Sequence, residues 1–104
     1  MTYRELAKET GIRVSALKRY GRHLLIEAPY FDLQRGISRN LSNNEAWLLY
    51  VAFILYEAGR RNIKQLIKEM PRTGIWKIEN VFQIVILSID VDLLRERFEK
   101  LLKT

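Results

Sequence analysis

Residues 6–20, which read LAKETGIRVSALKRY, constrain the fold most because they contain two short helical periods separated by a glycine. Gly11 permits the left-handed backbone that ends a helix sharply. Upstream, Thr2 and Glu5 stand at the spacing of a capping box, which marks a helix start. The sequence therefore predicts two short helices joined by a tight turn.

The second of these helices, predicted from about Val14 to Leu24, has one apolar and one basic face. Its predicted inward residues are Val14, Leu17, Tyr20 or Gly21, and Leu24. Its opposite face carries Arg13, Ser15, Lys18, Arg19 and Arg22. Short side chains such as Ser15 let a helix enter the major groove of DNA. The Lys and Arg side chains of this face would then lie beside the phosphates that flank the groove. Tyr20 is expected to place its ring in the core and its hydroxyl on a phosphate.

A second stretch, LIKEMPRTGIWKIEN from Leu66 to Asn80, repeats the outline of the first. A short helix, a turn at Pro71 and a helix opening at Thr73 would form a second helix-turn-helix. The groove-side residues of that unit would be Arg72, Thr73 and Lys77. Because Ile75 and Trp76 are bulky and apolar for a surface that faces a groove, a purely structural helix hairpin is the alternative.

Between the repeats, residues 27–41 break the helical period at Pro29 and Gly36. This segment predicts either a wing-like β-hairpin or an irregular loop. Arg35 and Arg39 within it are candidate DNA contacts.

The clearest helix in the sequence begins at the capping box SNNE, Ser42 to Glu45. It is predicted to run from Asn43 to about Ala58 and to end at Gly59. Apolar residues occupy most of its circumference, which is typical of a helix at the centre of a core or an interface. A further short helix is predicted between an N-cap at Asn62 and Pro71.

The last third of the chain allows two interpretations. Thr73 begins a helix, or the β-branched run from Ile84 to Ile89 is a strand. A C-terminal helix then starts at Asp90 or Asp92. Read as one helix, the segment has apolar residues at coiled-coil spacing, which would form a dimer seam. The residues of that seam are Ile84, Leu87, Val91, Leu94, Phe98 and Leu101.

The distribution of charge divides the chain at residue 74. The net charge is +6, and residues 1–74 hold 13 of the 18 basic and 7 of the 12 acidic residues. In residues 75–104, five basic residues balance five acidic ones. Residues 1–74 are therefore predicted to be a basic module with a polyanionic partner, and residues 75–104 a neutral segment for dimerisation or core completion.

Several classes of function lack the residues that they need. Without cysteine there are no disulfides, zinc–thiolate sites or cysteine nucleophiles, and a reducing compartment is expected. His23 is the single histidine, and no catalytic constellation or cofactor motif is present, so we predict no enzyme activity, no metal and no cofactor. The longest apolar runs are too short to span a bilayer, and the polar N-terminus does not resemble a signal peptide.

At residues 2–68 the chain resembles the MerR-type winged helix-turn-helix proteins. In that family a Leu-Ala-x-x-Thr-Gly-Val stretch leads into a Leu-Arg-x-Tyr box, and here the box is Leu17-Lys18-Arg19-Tyr20. The family then has a wing containing Arg and Gly before a Ser-capped helix that ends in Gly, to which QRGISRNLS from Gln34 to Ser42 is similar. Arg13 stands where a short polar cap is usual, and the wing lacks the aromatic–Arg pair. The metal-sensing sites of the family have no counterpart here.

Together these features predict a mostly α-helical, winged helix-turn-helix protein that binds double-stranded DNA. We expect a homodimeric transcriptional regulator in a prokaryotic-type cytoplasm, without a membrane partner. One alternative is an architectural or recombination-directing DNA-binding factor. Another is a protein-interaction module on a MerR-like fold.

Overall fold

A computed structural model describes residues 1–24, 40–79 and 86–102. These residues are mostly helical, as the sequence predicts. In chain order the elements are α1 (Tyr3–Thr10), α2 (Val14–His23), α3 (Asn43–Glu57), α4 (Ile63–Glu69), β1 (Ile75–Glu79), β2 (Ile86–Asp90) and α5 (Val91–Leu102). The predicted wing, including Arg35 and Arg39, lies outside the described residues.

The first two helices begin and end where the sequence predicts. The Thr2 side chain accepts a hydrogen bond from the Glu5 N–H at 3.2 Å and so caps α1. Gly11 ends α1 with a φ of 78°, in the left-handed region that favours glycine. Only three residues separate α1 from α2, so a short turn joins the two helices, as the sequence predicts.

Helix α3 is the central element of the core. Its predicted capping box is present in full, because Ser42 and Glu45 exchange side-chain-to-backbone hydrogen bonds of 2.9 and 3.1 Å. Helices α2, α4 and α5 all contact α3. Residues on several sides of α3 are therefore buried, namely Ala46, Trp47, Leu49, Val51, Ala52 and Leu55.

The prediction of a helix that begins at Thr73 is wrong. Residues 75–79 form a strand that pairs antiparallel with β2, with Trp76 opposite Ile89 and Ile78 opposite Leu87. Trp76 and Ile78 are buried and their neighbours exposed, so burial alternates with the period of a strand. The second helix-turn-helix therefore does not form. The alternative strand is confirmed for Ile86–Ile89; its residues 84 and 85 lie outside the described range.

The start of α5 locks the hairpin to the helix. Asp90 accepts a hydrogen bond from the Leu93 N–H at 3.1 Å, which confirms that the helix begins at this acidic pair. Asp92 accepts one from the Gly74 N–H at 3.1 Å, and the Val91 N–H donates to the Gly74 carbonyl at 3.0 Å. Gly74 has a φ of 85°, a backbone conformation that a side chain would strain.

The prediction of one continuous helix with a coiled-coil seam is also wrong, because a strand occupies residues 86–90. Helix α5 packs against α1 and α3, and this contact buries Val91 and Phe98 within the chain. The Phe98 ring centroid lies 5.6 Å from that of Trp47 and 5.0 Å from that of Tyr50. These two seam residues belong to the core of one chain and are not available to a partner.

None of the helices in the described ranges has the length and apolar character that crossing a membrane requires.

Replacing Phe98 tests its place in this core. We expect Phe98→Ala to lower the free energy of unfolding by about 3–5 kcal/mol, because it leaves a cavity beside Trp47 and Tyr50. Urea denaturation would measure the loss. Leu93→Ala is the matched control, since Leu93 is 45% exposed on the same helix, and it should change stability by less than about 0.5 kcal/mol. Equal unfolding midpoints for the two variants would contradict this packing.

Candidate nucleic-acid interface

Helix α2 presents one exposed basic face. Ser15, Lys18, Arg19 and Arg22 recur at helical spacing and are all exposed. On the opposite side Leu17 is completely buried. No acidic residue occurs within α2, so the face has a single sign of charge. The structure thus brings together the residues that the sequence predicts for this helix.

The turn before α2 is fixed by hydrogen bonds. The Thr10 hydroxyl donates to the Leu6 carbonyl at 2.7 Å and accepts from the Ile12 N–H at 3.3 Å. The Gly11 N–H donates to the Ala7 carbonyl at 2.8 Å. With Ile12 buried, this turn sets the angle at which α2 leaves α1.

The N-terminus of α2 is open, unlike those of α1 and α3. Exposed Arg13 occupies the N-cap position and its side chain caps no N–H group. The N–H groups of the first helical turn have no intrahelical acceptor, and the helix dipole adds partial positive charge there. An anion at this end would meet both the free N–H groups and the Arg13 guanidinium.

Tyr20 joins the basic face to the core. Its side chain is only 5% exposed, and its ring centroid lies 5.9 Å from that of Tyr56 on α3. Burial is the main cause that raises the pKa of the Tyr20 hydroxyl; Tyr56 and Glu57 also raise it, and Arg19 opposes them. The hydroxyl is therefore a neutral hydrogen-bond donor near neutral pH.

The structure adds two residues that the sequence prediction missed. Arg61, just after α3, holds its guanidinium 4.9 Å from the centroid of the Tyr56 ring. Since Tyr56 contacts Tyr20, these two rings link Arg61 to α2. The run Gly59-Arg60-Arg61 after a predicted helix end was the available signal, although only tertiary packing brings it beside α2.

Three further predicted contacts lie on another element. Arg72 and Thr73 are exposed in the turn before β1, and Lys77 is exposed on β1 opposite Ser88. Glu79 lies on the same face of the hairpin. These residues are not on a recognition helix, so their predicted arrangement is wrong.

In the three described ranges, no three His, Cys, Asp or Glu side chains come close enough together to hold a metal ion. His23 is exposed at the end of α2.

Comparison of the chain with protein-family models, with curated proteins and with solved structures gives no match.

The raised pKa of Tyr20 predicts a specific pH dependence of stability. Unfolded tyrosine loses its proton near pH 10.0, whereas the folded protein keeps the Tyr20 proton to higher pH. The contribution of the protonated Tyr20 hydroxyl to the free energy of unfolding is therefore complete below pH 10.0 and is lost as the pH rises toward the folded-state pKa. We expect Tyr20→Phe to lose less stability than the wild type between about pH 9 and about pH 11, measured by urea denaturation. Parallel losses in the two proteins would contradict the assignment.

Proposed function

We propose that this protein binds double-stranded DNA through α2, as a winged helix-turn-helix transcriptional regulator of the cytoplasm. The observation that carries the proposal is the single-sign face of α2, with Lys18, Arg19 and Arg22 exposed and Leu17 buried behind them. A helix with its side chains is about 10–12 Å across, so the major groove, about 12 Å wide, admits it. Helix α1 braces α2 from behind.

Within this proposal the exposed side chains divide into two roles. Ser15 and Arg19 lie toward the base edges, because a short hydroxyl and a forked guanidinium are suited to reading them. Lys18 and Arg22 neutralise phosphates at the sides of the groove. Arg13 and the open end of α2 hold a further phosphate. Tyr20, nearly two turns further along α2, donates its neutral hydroxyl to a different phosphate.

Tyr56 and Arg61 extend the proposed contact. The guanidinium of Arg61 is already stacked on an aromatic ring, so it loses little conformational entropy when it binds a phosphate. Glu57, whose charge acts on Tyr20, limits this extension because it repels DNA.

We propose a homodimer as well, since two half-sites multiply sequence preference. Its contact surface lies away from Val91 and Phe98, which the monomer core buries.

A protein-interaction module is the second candidate, and one observation favours it. The outer face of the hairpin exposes Ile75 and Ile86 by 58% and 54%, and exposed apolar side chains are typical of docking surfaces. Affinity for DNA and its dependence on salt distinguish the two functions.

The first test is the salt dependence of DNA binding. If each chain contacts about 4–6 phosphates, the logarithm of affinity should fall with the logarithm of salt concentration at a slope of roughly −4 to −5. Fluorescence anisotropy with a labelled random-sequence duplex would measure this slope. Affinity that does not change with salt would exclude the proposed interface and favour the protein-interaction module.

The second test separates the two roles on α2. Lys18→Ala and Arg22→Ala should weaken binding to all sequences similarly. Ser15→Ala and Arg19→Ala should instead change preference among sequences, by about 1–3 kcal/mol at the affected base pair. Sequences selected from a random duplex library by each variant would show the difference.

Lys100→Ala is the matched control for these variants. Lys100 is exposed on α5, where it pairs with Glu96 at 3.4 Å, and its loss should leave DNA affinity nearly unchanged. A uniform loss in all four α2 variants would show that this helix has no base-reading face.

A further inference from the structure

A second feature, independent of the DNA-binding proposal, is a cleft between the start of α3 and the end of α5. Its volume is about 400 Å³, which lies in the range of small-molecule sites. Trp47, Phe98 and Leu102 supply its apolar lining. The Trp47 and Phe98 rings already contact each other, so this lining is preformed.

The cleft also has a guanidinium that pairs with no carboxylate among the described residues. Arg95 lies with its guanidinium carbon 4.8 Å from the centroid of the Trp47 ring. Within the described part of the chain Arg95 forms no ion pair, although Glu99 stands one helical turn away. Stacking fixes the plane of the guanidinium and leaves its N–H groups free for a carboxylate.

The start of α3 provides further hydrogen-bond donors. Asn43 and Asn44 line the cleft, and their backbone N–H groups lie in the first turn, where no intrahelical acceptor exists. Ser42 caps only the Glu45 N–H. The positive end of the α3 dipole therefore faces the same cleft as Arg95.

The Trp47 side chain, which lines the cleft, also carries a buried hydrogen-bond donor. Trp47 is 5% exposed, and its indole Nε1–H has no hydrogen-bond partner in the described part of the chain. A buried polar group without a partner is costly, so native proteins rarely retain one. The Nε1 atom itself lies below the surface of the cleft, so a ligand that covers the Trp47 ring changes the surroundings of this N–H without bonding to it.

We propose that this cleft binds a small aromatic monocarboxylate. The ring lies against Phe98 and Leu102, and the carboxylate accepts hydrogen bonds from Arg95 and the start of α3. Glu99 at the rim repels additional negative charge, so a phosphate dianion is disfavoured. The proposal assigns the protein a small-molecule ligand, whether or not α2 binds DNA.

The test uses 4-fluorophenylacetate as the probe and the full chain as the protein. The two tryptophan indole N–H resonances, Trp47 and Trp76, are followed by ¹H–¹⁵N NMR, and sequential assignment distinguishes them. We expect the Trp47 resonance to shift in a saturable manner while that of Trp76 stays in place. A probe of this size should bind in the millimolar range or somewhat tighter.

Two variants and two other probes make the test specific. Arg95→Gln should weaken binding by about fivefold or more, whereas Arg97→Gln, an exposed arginine on α5 outside the cleft, should leave it unchanged within about twofold. The neutral 4-fluorophenylacetamide and the dianion 4-fluorophenyl phosphate should both bind more weakly than the carboxylate.

Three results would overturn the proposal. The first is a Trp47 resonance that does not move up to about 20 mM probe. The second is binding that Arg95→Gln leaves unchanged. The third is the amide or the phosphate binding as tightly as the carboxylate.

Discussion

Burial of α3 on most of its circumference is the interaction on which the other elements depend. Leu49, Val51, Ala52 and Leu55 are completely buried, although they point in different directions around the helix. A fully buried Leu or Val contributes about 1.5–3 kcal/mol relative to exposure, so each helix that covers a side of α3 is held there by apolar area. The orientation of α2, and hence of its basic face, is one result of this packing.

The sequence allowed correct prediction wherever local chemistry decides the structure. Thr2 and Ser42 mark helix starts through a hydrogen bond to a residue three positions later, which is visible in the sequence. Gly11 marks a helix end because few other residues adopt its backbone conformation. Asp90 marks the start of α5 in the same way, because it accepts a hydrogen bond from the Leu93 N–H.

Strand β1 and its pairing with β2 escaped prediction because a non-local contact decides them. The apolar residues Ile75, Trp76 and Ile78 fit a helical period and an alternating period equally well. The strand is selected by its pairing with β2 and by the hydrogen bonds that join Gly74 to the start of α5. One of these bonds joins Gly74 to Asp92, which is 18 residues further along the chain. The predicted coiled-coil seam failed for the same reason, since Leu87 belongs to a strand and Val91 to a helix.

In the candidate interface too, the features that local sequence decides were predictable and those that non-local contacts decide were not. The face of α2 was predictable because a single helix generates it, whereas Tyr56 and Arg61 join it only through the packing of α3 on α2. Arg72, Thr73 and Lys77 were assigned to a helix that does not exist. The cleft between α3 and α5 had no signal in the sequence, because its two walls are far apart in the chain.

The contact between α1 and α5 has a consequence for the order of folding. About eighty residues separate the end of α1 from the start of α5, so this pairing closes a long loop and belongs to the slow, non-local class of contacts. During synthesis on the ribosome, α1 emerges early and part of its apolar face has no partner until α5 has left the exit tunnel. The basic face of α2 therefore becomes firmly supported only after α5 has been synthesised and packs against α1.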